Sequence, residues 1–299
     1  MLAALGLGGG LVNAMANPTN PYYQGPVSDH FDGLRFFNPQ GTPPGSLRDL
    51  LRWRWQGERA VWPTSVPVAQ PFMPQPRVDD LTITMVGHAT MLVQTQGMNI
   101  LTDPVWSDRA SPVSFAGPRR VTAPGIAFDD LPPIDAVLLS HSHYDHLDLP
   151  TLHRLKAAHD PLVIAPLGNE AILAGTGLTT RTGDWGDVLE TGALRVHLVP
   201  CHHWSARGMR DRSMALWAGF VVTGRAPGCM SAIPGLTAGA PTATCPRALA
   251  RCARPSCRSA PTNHAGSCRA STRTQTRRCR AFAWPGPGLR LGIIGAHSN

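Results

Sequence analysis

From Leu81 onward the chain falls into short runs whose apolar positions recur with the periods of strands and helices, whereas residues 17 to 80 show little periodicity of either kind. Leu81-Thr82-Ile83-Thr84-Met85-Val86 and Met91-Leu92-Val93-Gln94-Thr95 read as strands. Gly97-Met98-Asn99 reads as a turn into Ile100-Leu101-Thr102, and together these predict a β-meander. Ala136-Val137-Leu138-Leu139-Ser140 is too apolar for a strand with one wet face and predicts a buried strand, followed by a polar loop and a helical stretch from Pro150 to His159. Leu162-Val163-Ile164-Ala165 and Leu194-Arg195-Val196-His197-Leu198-Val199 predict further strands, with a helix near Asn169 to Ala174 between them. Strands alternating with helices predict an α/β layered fold.

The stretch before Leu81 is rich in Pro, Gly and Trp and reads as an irregular extension laid over the core by its aromatics, Trp53, Trp55 and Trp62 among them. Residues 1–16 are apolar and small, and Ala14-Met15-Ala16 suits signal-peptidase cleavage, yet no Lys or Arg precedes them and the run is too short to span a bilayer. A signal remnant and a disordered leader both fit, so cytoplasmic and periplasmic locations stay open.

Composition changes this picture only at the other end. The formal net charge is +8, but from Arg225 to Asn299 there are eleven Arg and no Lys, Asp or Glu, which leaves 16 basic against 19 acidic residues before them. Six of the seven cysteines, Cys229 to Cys279, share that last quarter. By composition alone a basic, cysteine-rich tail suggests a nucleic-acid arm or a disulfide module.

The candidate chemistry lies in the loop after the buried strand. Ser140-His141-Ser142-His143-Tyr144-Asp145-His146-Leu147-Asp148 packs three histidines and two carboxylates into nine residues. Imidazole nitrogen and carboxylate oxygen are ligands zinc accepts, and a loop at a strand end can turn alternate side chains inward while later ones reach a second metal. A lone histidine is usually structural, but the spacing His-x-His-x-Asp-His is far more restrictive.

That spacing resembles the signature of the metallo-β-lactamase superfamily. Tyr22-Tyr23-Gln24-Gly25-Pro26, Ser28-Asp29-His30-Phe31-Asp32-Gly33, Gly87-His88-Ala89-Thr90, Leu101-Thr102-Asp103-Pro104, Gly117-Pro118-Arg119-Arg120 and Leu131-Pro132-Pro133-Ile134-Asp135-Ala136-Val137 resemble its branch containing N-acyl-phosphatidylethanolamine-hydrolysing phospholipase D. The resemblance runs from about Tyr22 to Gly224. It implies an αββα sandwich with two zinc ions, His141 and His143 on one and Asp145 and His146 on the other. His203, in register with Trp204, is implied as the first zinc's third histidine, with His202 as its neighbour and rival. His88 and Asp103 are implied as residues that orient the ligands, and Arg119 and Arg120 as a basic pair suited to a phosphate. The implied reaction is hydrolysis by water that the paired cations activate, with Asp145 both ligating and orienting the nucleophile. Its substrate is a lipid or small-molecule phosphodiester, with peripheral membrane contact and no nucleic acid. Two rivals remain: a lactone or other ester hydrolase of the same superfamily, and a non-catalytic metal- or nucleic-acid-binding protein.

After Gly219-Phe220-Val221-Val222-Thr223-Gly224 the resemblance stops. The family continues with a strand and Gly-Asp-Thr-Gly, whose carboxylate bridges both zincs, and ends with a His-Trp-Gly-Thr-Phe that supplies the last histidine. Joining the third base of each codon to the first two of the next lets Ala232-Ile233-Pro234-Gly235 read Gly-Asp-Thr-Gly. In the same frame Ala260 to Arg269 can read Gly-Ala-Tyr-Glu-Pro-Arg-Trp-Phe-Met-Gln, Ser271 to Cys279 can read Gln-His-Thr-Asn-Pro-Asp-Glu-Ala-Val, and Ile293 to Asn299 can read His-His-Trp-Gly-Thr-Phe-Gln. Four motifs in one frame and in family order point to a frameshift near residue 225. The expected organisation is therefore a leader (1–16), an irregular extension (17–80), the first half of the metallo-β-lactamase-type sandwich (81–224) and a frameshifted, disordered tail (225–299). The second half of the sandwich, with the bridging carboxylate and the last histidine, is incomplete, and the chain is expected to be impaired.

Overall fold

Among the described residues, ten strands in two sheets carry the fold. The computed structural model describes residues 19–41, 45–56, 63–67, 72–224 and 230–233, so the leader and nearly all of the tail lie outside the described residues. The first sheet runs β1 (Thr82–Gly87), β2 (Thr90–Thr95), β3 (Met98–Thr102), β4 (Ala136–Leu138), β5 (Leu162–Pro166), β6 (Thr180–Gly183), in that spatial order. β1 to β3 pair antiparallel, and β3 to β6 pair parallel. The second sheet is β7 (Val188–Thr191), β8 (Leu194–Val199), β9 (Gly219–Gly224) and β10 (Met230–Ile233), ordered β10-β9-β8-β7 and antiparallel throughout.

The period-2 alternation of the central strands sorts their side chains onto two faces. Leu92, Leu101, Val137, Leu139 and Val163 join Leu147 and, from α2 (Leu149–Ala158), Leu152 and Leu155 in one cluster. Val93, Ile100, Leu138 and Ile164 meet Leu194, Val196, Leu198, Phe220 and Val222 of the second sheet in another. The first sheet is thus covered by helix on one face and sheet on the other, which is why β4 reads as a continuous apolar run. Each fully buried Leu or Ile contributes about 1.5–3 kcal/mol. The result is a mixed α/β fold, as the resemblance implies; among the described residues the layers are helix, sheet, sheet.

The meander, β4, β5, β8 and the helices α2 and α3 (Asn169–Leu173) lie where the periodicity predicts, with ends that differ by a residue or two. β6 and β7 escape the pattern because Thr180-Arg181-Thr182-Gly183 and Val188-Leu189-Glu190-Thr191 are short and polar, and only their pairing partners make them strands.

The extension is more ordered than its composition implies, and its anchors are different residues. It contains a helix, α1 (Leu47–Gln56), begun by a capping box in which Ser46 N and Ser46 Oγ donate to Asp49 Oδ2 at 2.8 and 2.6 Å. Trp55 does not cover the core; it is 90% exposed. Tyr23, Phe31 and Phe36 do that work, packed with Leu216 and Trp217 in a third cluster. Apolar residues at irregular spacing signal their burial only through partners nearly two hundred positions away. Trp62 lies outside the described residues.

Candidate metal centre

Parallel strands gather their C-terminal ends on one edge of a sheet, and ligands bind in the crevice beyond that edge. The loop from His141 to His146 leaves β4 there, Asp103 follows β3 on the same side, and His88 sits in the tight β1–β2 turn. His203 arrives from the second sheet, in the segment after β8. His88 (φ +49°) and Asp103 (φ +37°) hold left-handed backbone, a conformation that non-glycine residues rarely adopt and that clusters at functional sites.

Two groups of ligand atoms result. His141, His143 and His203 form one, and His88, Asp145 and His146 the other, with the ligand atoms of each group within 4.8 Å of one another. In the first, His141 Nε2 lies 2.8 Å from His143 Nδ1 and 3.0 Å from His203 Nε2. In the second, Asp145 Oδ2 lies 2.9 Å from His88 Nε2 and 3.6 Å from His146 Nε2. The groups adjoin, since the rings of His141 and His146 are 4.1 Å apart.

The hydrogen bonds set the tautomers. Ser140 Oγ donates its single proton to Asp103 Oδ2 at 2.7 Å, so at 2.8 Å from His141 Nδ1 it must accept, and His141 Nε2 is left as a lone pair facing its two neighbours. His146 Nδ1 donates to the same Asp103 Oδ2 at 2.8 Å, which leaves His146 Nε2 free to ligate. Buried Asp103 therefore orients one histidine directly and another through a hydroxyl, and it also accepts from Ser140 N at 2.7 Å.

Electrostatics agree with this donor set. Burial and the neighbouring imidazoles, His146 foremost, push His141 well below the ordinary histidine range. Burial and His203 bring His143 down to about 4, and burial and His146 lower His203. All three are thus neutral near pH 7, the form that ligates metals. Burial opposes ionisation of Asp145, but the His88 hydrogen bond and the His146 charge outweigh it and hold the carboxyl below its usual range. His146 is the exception: burial pulls downward, but the bond to Asp103 with its charge outweighs it and raises the pKa, so its Nε2 must release a proton on ligation. The single lone pair of His141 Nε2 can accept a full hydrogen bond from only one of its two neighbours, whereas a cation between the three nitrogens would engage all of them. The residues fit a metal.

Of the other expected residues, Arg119 is an exposed loop residue outside both groups. Arg120 lies beneath the β1–β2 turn, where a Cβ on Gly87 would come within 3.2 Å of its Nη1, and its Nη2 donates to Val105 O at 2.7 Å. Asp148 is fully engaged with Trp106 N, Ser107 and Thr151, so it braces the loop and does not face the ligand groups. Sequence reasoning assigned no role to Ser140 or to Arg207. Arg207 Nη1 donates to Ser142 O at 3.0 Å and Leu147 O at 2.8 Å and so holds the histidine loop from its far side. A Ser directly before the first ligand was a readable signal for the former; nothing local marks the latter.

Residues 98–230 match the family model described as the beta-lactamase superfamily domain. Over these residues, under half of the chain, the sequence is similar to that domain. The chain is 37% identical over 216 residues to an N-acyl-phosphatidylethanolamine-hydrolyzing phospholipase D of Caenorhabditis elegans, over 65% of this chain and 60% of that one. It is 30% identical to a mitochondrial protein of the same name from Saccharomyces cerevisiae, over 47% of this chain and 31% of that one. It thus spans less than two thirds of either relative. Among solved structures, the Streptomyces venezuelae diiron β-hydroxylase CmlA is similar at 27% identity and a TM-score of 0.36, over 50% of this chain and 28% of that one, an overlap too partial to argue from.

Asp103 is the residue whose change separates orientation from ligation. Asp103→Asn is expected to weaken metal binding by about 10–100-fold, the usual effect of losing an outer partner of a ligand. Its amide can donate to Ser140 Oγ or His146 Nδ1 and so favours the wrong tautomer. Competition with a chromophoric chelator measures this, and unchanged affinity would refute the tautomer argument.

Proposed function

We propose that this chain derives from a two-zinc phosphodiesterase that cleaves N-acylated phospholipids in the manner of a phospholipase D, and that residues 225–299 are translated out of the ancestral frame. The observation that carries the reading is the adjacent pair of ligand groups, one of three neutral histidines and one of His88, Asp145 and His146. His141, His143 and His203 would hold one ion, and Asp145 and His146 the other, with His88 beside it. Two divalent ions there would acidify bound water and stabilise the charge that develops on an attacked phosphoryl group.

The chain's own residues do the rest. Asp145, kept ionised, accepts a hydrogen bond from the attacking water and orients it. Asp103 keeps His141 and His146 in the tautomers that leave their Nε2 atoms free. A cleft of 620 Å³ opens beside the histidine loop between Tyr144, Arg207 and the segment from Ser107 to Ser114; Arg109 and Arg207 line it together with Asp108 and Asp148, and the two guanidinium groups are the donors it offers a phosphate. The similarity to the worm and yeast enzymes supports the lipid substrate.

The test uses protein with the frame restored after Gly224, offered an N-acyl phosphatidylethanolamine, a soluble aryl phosphodiester and a lactone. Metal-dependent cleavage of the first two, fastest on the lipid, is the expected result; turnover of the lactone alone would overturn the substrate assignment. Sequencing the coding DNA around codon 225 tests the frame directly, since an intact frame whose third bases do not spell the hidden motifs removes that half of the proposal.

A further inference from the structure

Two adjacent histidines, His202 and His203, lie near the start of the segment after β8, and only His203 enters the ligand group. The physical reason lies in the N-terminal extension. Asn38 Nδ2 donates to the carbonyl of His203 at 2.8 Å. Three residues on, Gly41 closes the same turn by donating its N–H to Asn38 O at 3.0 Å. A Cβ on Gly41 would lie 2.4 Å from His202 Nε2 and 2.6 Å from Asn38 Cβ, so the His202 ring occupies the space that a side chain at 41 would fill. The turn thus bonds one histidine's backbone and berths the other's ring.

The turn is itself held in place. Asn20 Nδ2 donates to Met214 O at 2.7 Å, Tyr22 Oη to Asp211 Oδ2 at 2.7 Å and Phe36 N to Ser213 O at 2.7 Å. Buried His30 lies between Asp29 and Asp184, at 2.6 and 2.7 Å from its two ring nitrogens, and stacks on Trp185. These contacts tie residues 20–41 to the segment from His203 to Met214 and to the loop after β6, so Asn38 acts from a fixed base.

We propose that the turn from Asn38 to Gly41 is a positioning device for the metal centre, which selects His203 as the third ligand of the His141–His143 group and keeps His202 out of it. The inference rests on the metal-binding reading above. Neither Asn38 nor Gly41 touches a ligand atom of the group; both act through the His202–His203 backbone and the His202 ring. A histidine whose main chain is free to rotate pays an ordering cost on ligation that a fixed one does not.

The test titrates the full chain with Co²⁺ and follows its visible absorption, beside thermal melting of the metal-free protein. Asn38→Ala and Asn38→Leu are both expected to weaken Co²⁺ binding about tenfold, as loss of an outer partner does, while metal-free melting changes little. Leu preserves the side chain's bulk without its donor, so a packing role would spare that variant. Gly41→Ala is expected to weaken binding too, and Gly41→Ala combined with His202→Ala to recover part of the loss, because removing the ring relieves one of the two clashes. Affinity unchanged in both Asn38 variants, or a loss matched by an equal fall in metal-free stability, overturns the proposal. A wild-type chain that binds no Co²⁺ at all sinks the metal-centre reading along with it, whereas normal wild-type binding with insensitive variants sinks the positioning role alone.

Discussion

Protein with the frame restored after Gly224 is expected to hydrolyse a phosphodiester more than about 100-fold faster than the chain as it stands, which exceeds the usual effect of losing a single outer partner. Like-charged cations a few ångströms apart repel strongly in a partly buried site, and an anionic ligand between them is what makes the pair tolerable. The family supplies an aspartate for this and a final histidine in a His-Trp-Gly-Thr-Phe motif; residues 225–299 contain no Asp, and their two histidines, His264 and His297, do not stand in that motif. What the chain retains is one complete group of three histidines and a second group of His88, Asp145 and His146. The measurement is metal content by elemental analysis and initial rate on an aryl phosphodiester, side by side for the two proteins. The restored protein should hold two ions per chain and the present one at most one. Equal stoichiometry and equal rates would show that the tail contributes ligands of its own, and the frameshift reading would lose its functional consequence.

His141→Ala should abolish metal binding by the present chain, the largest effect expected of any single substitution in it. His141 Nε2 is the hub of the first group, 2.8 Å from one neighbouring ring nitrogen and 3.0 Å from the other. Zinc is held by three protein ligands in catalytic sites and four in structural ones, so two histidines compete poorly with water and buffer. The same change removes the Nδ1–H that donates to Ser140 Oγ, which weakens that hydroxyl's hold on Asp103 as well. A chelator titration reads the loss. The fold should survive, because the site lies beyond the strand ends and the apolar clusters between the sheets do not include His141; retention of full affinity in His141→Ala would mean that the metal sits elsewhere.

The layered architecture was legible because its central strands announce themselves. β4 is apolar on both faces and cannot be a surface strand, while α2 carries Pro150 in its first turn, where proline is at home. The edge strands β6 and β7 were not legible, since short polar segments become strands only when a neighbour offers its backbone. The extension was misjudged for a related reason. Its tryptophans are conspicuous in the sequence, yet Trp55 faces solvent, and Tyr23, Phe31 and Phe36 cover the core.

At the site, local spacing alone brought His141, His143, Asp145 and His146 into one loop, because four residues within six positions at a strand end cannot be far apart. That much the sequence determined by itself, together with the strand that carries the loop and the break in composition near residue 225. The tertiary structure decided what depends on distant segments. It brought His88 from the β1–β2 turn to within 2.9 Å of Asp145, gave Asp103 two histidines to orient, and turned His203 inward with His202 outward. A ligand's identity is a property of the chain, but its direction is set by whatever holds its backbone, and for His203 that is Asn38, 165 residues away.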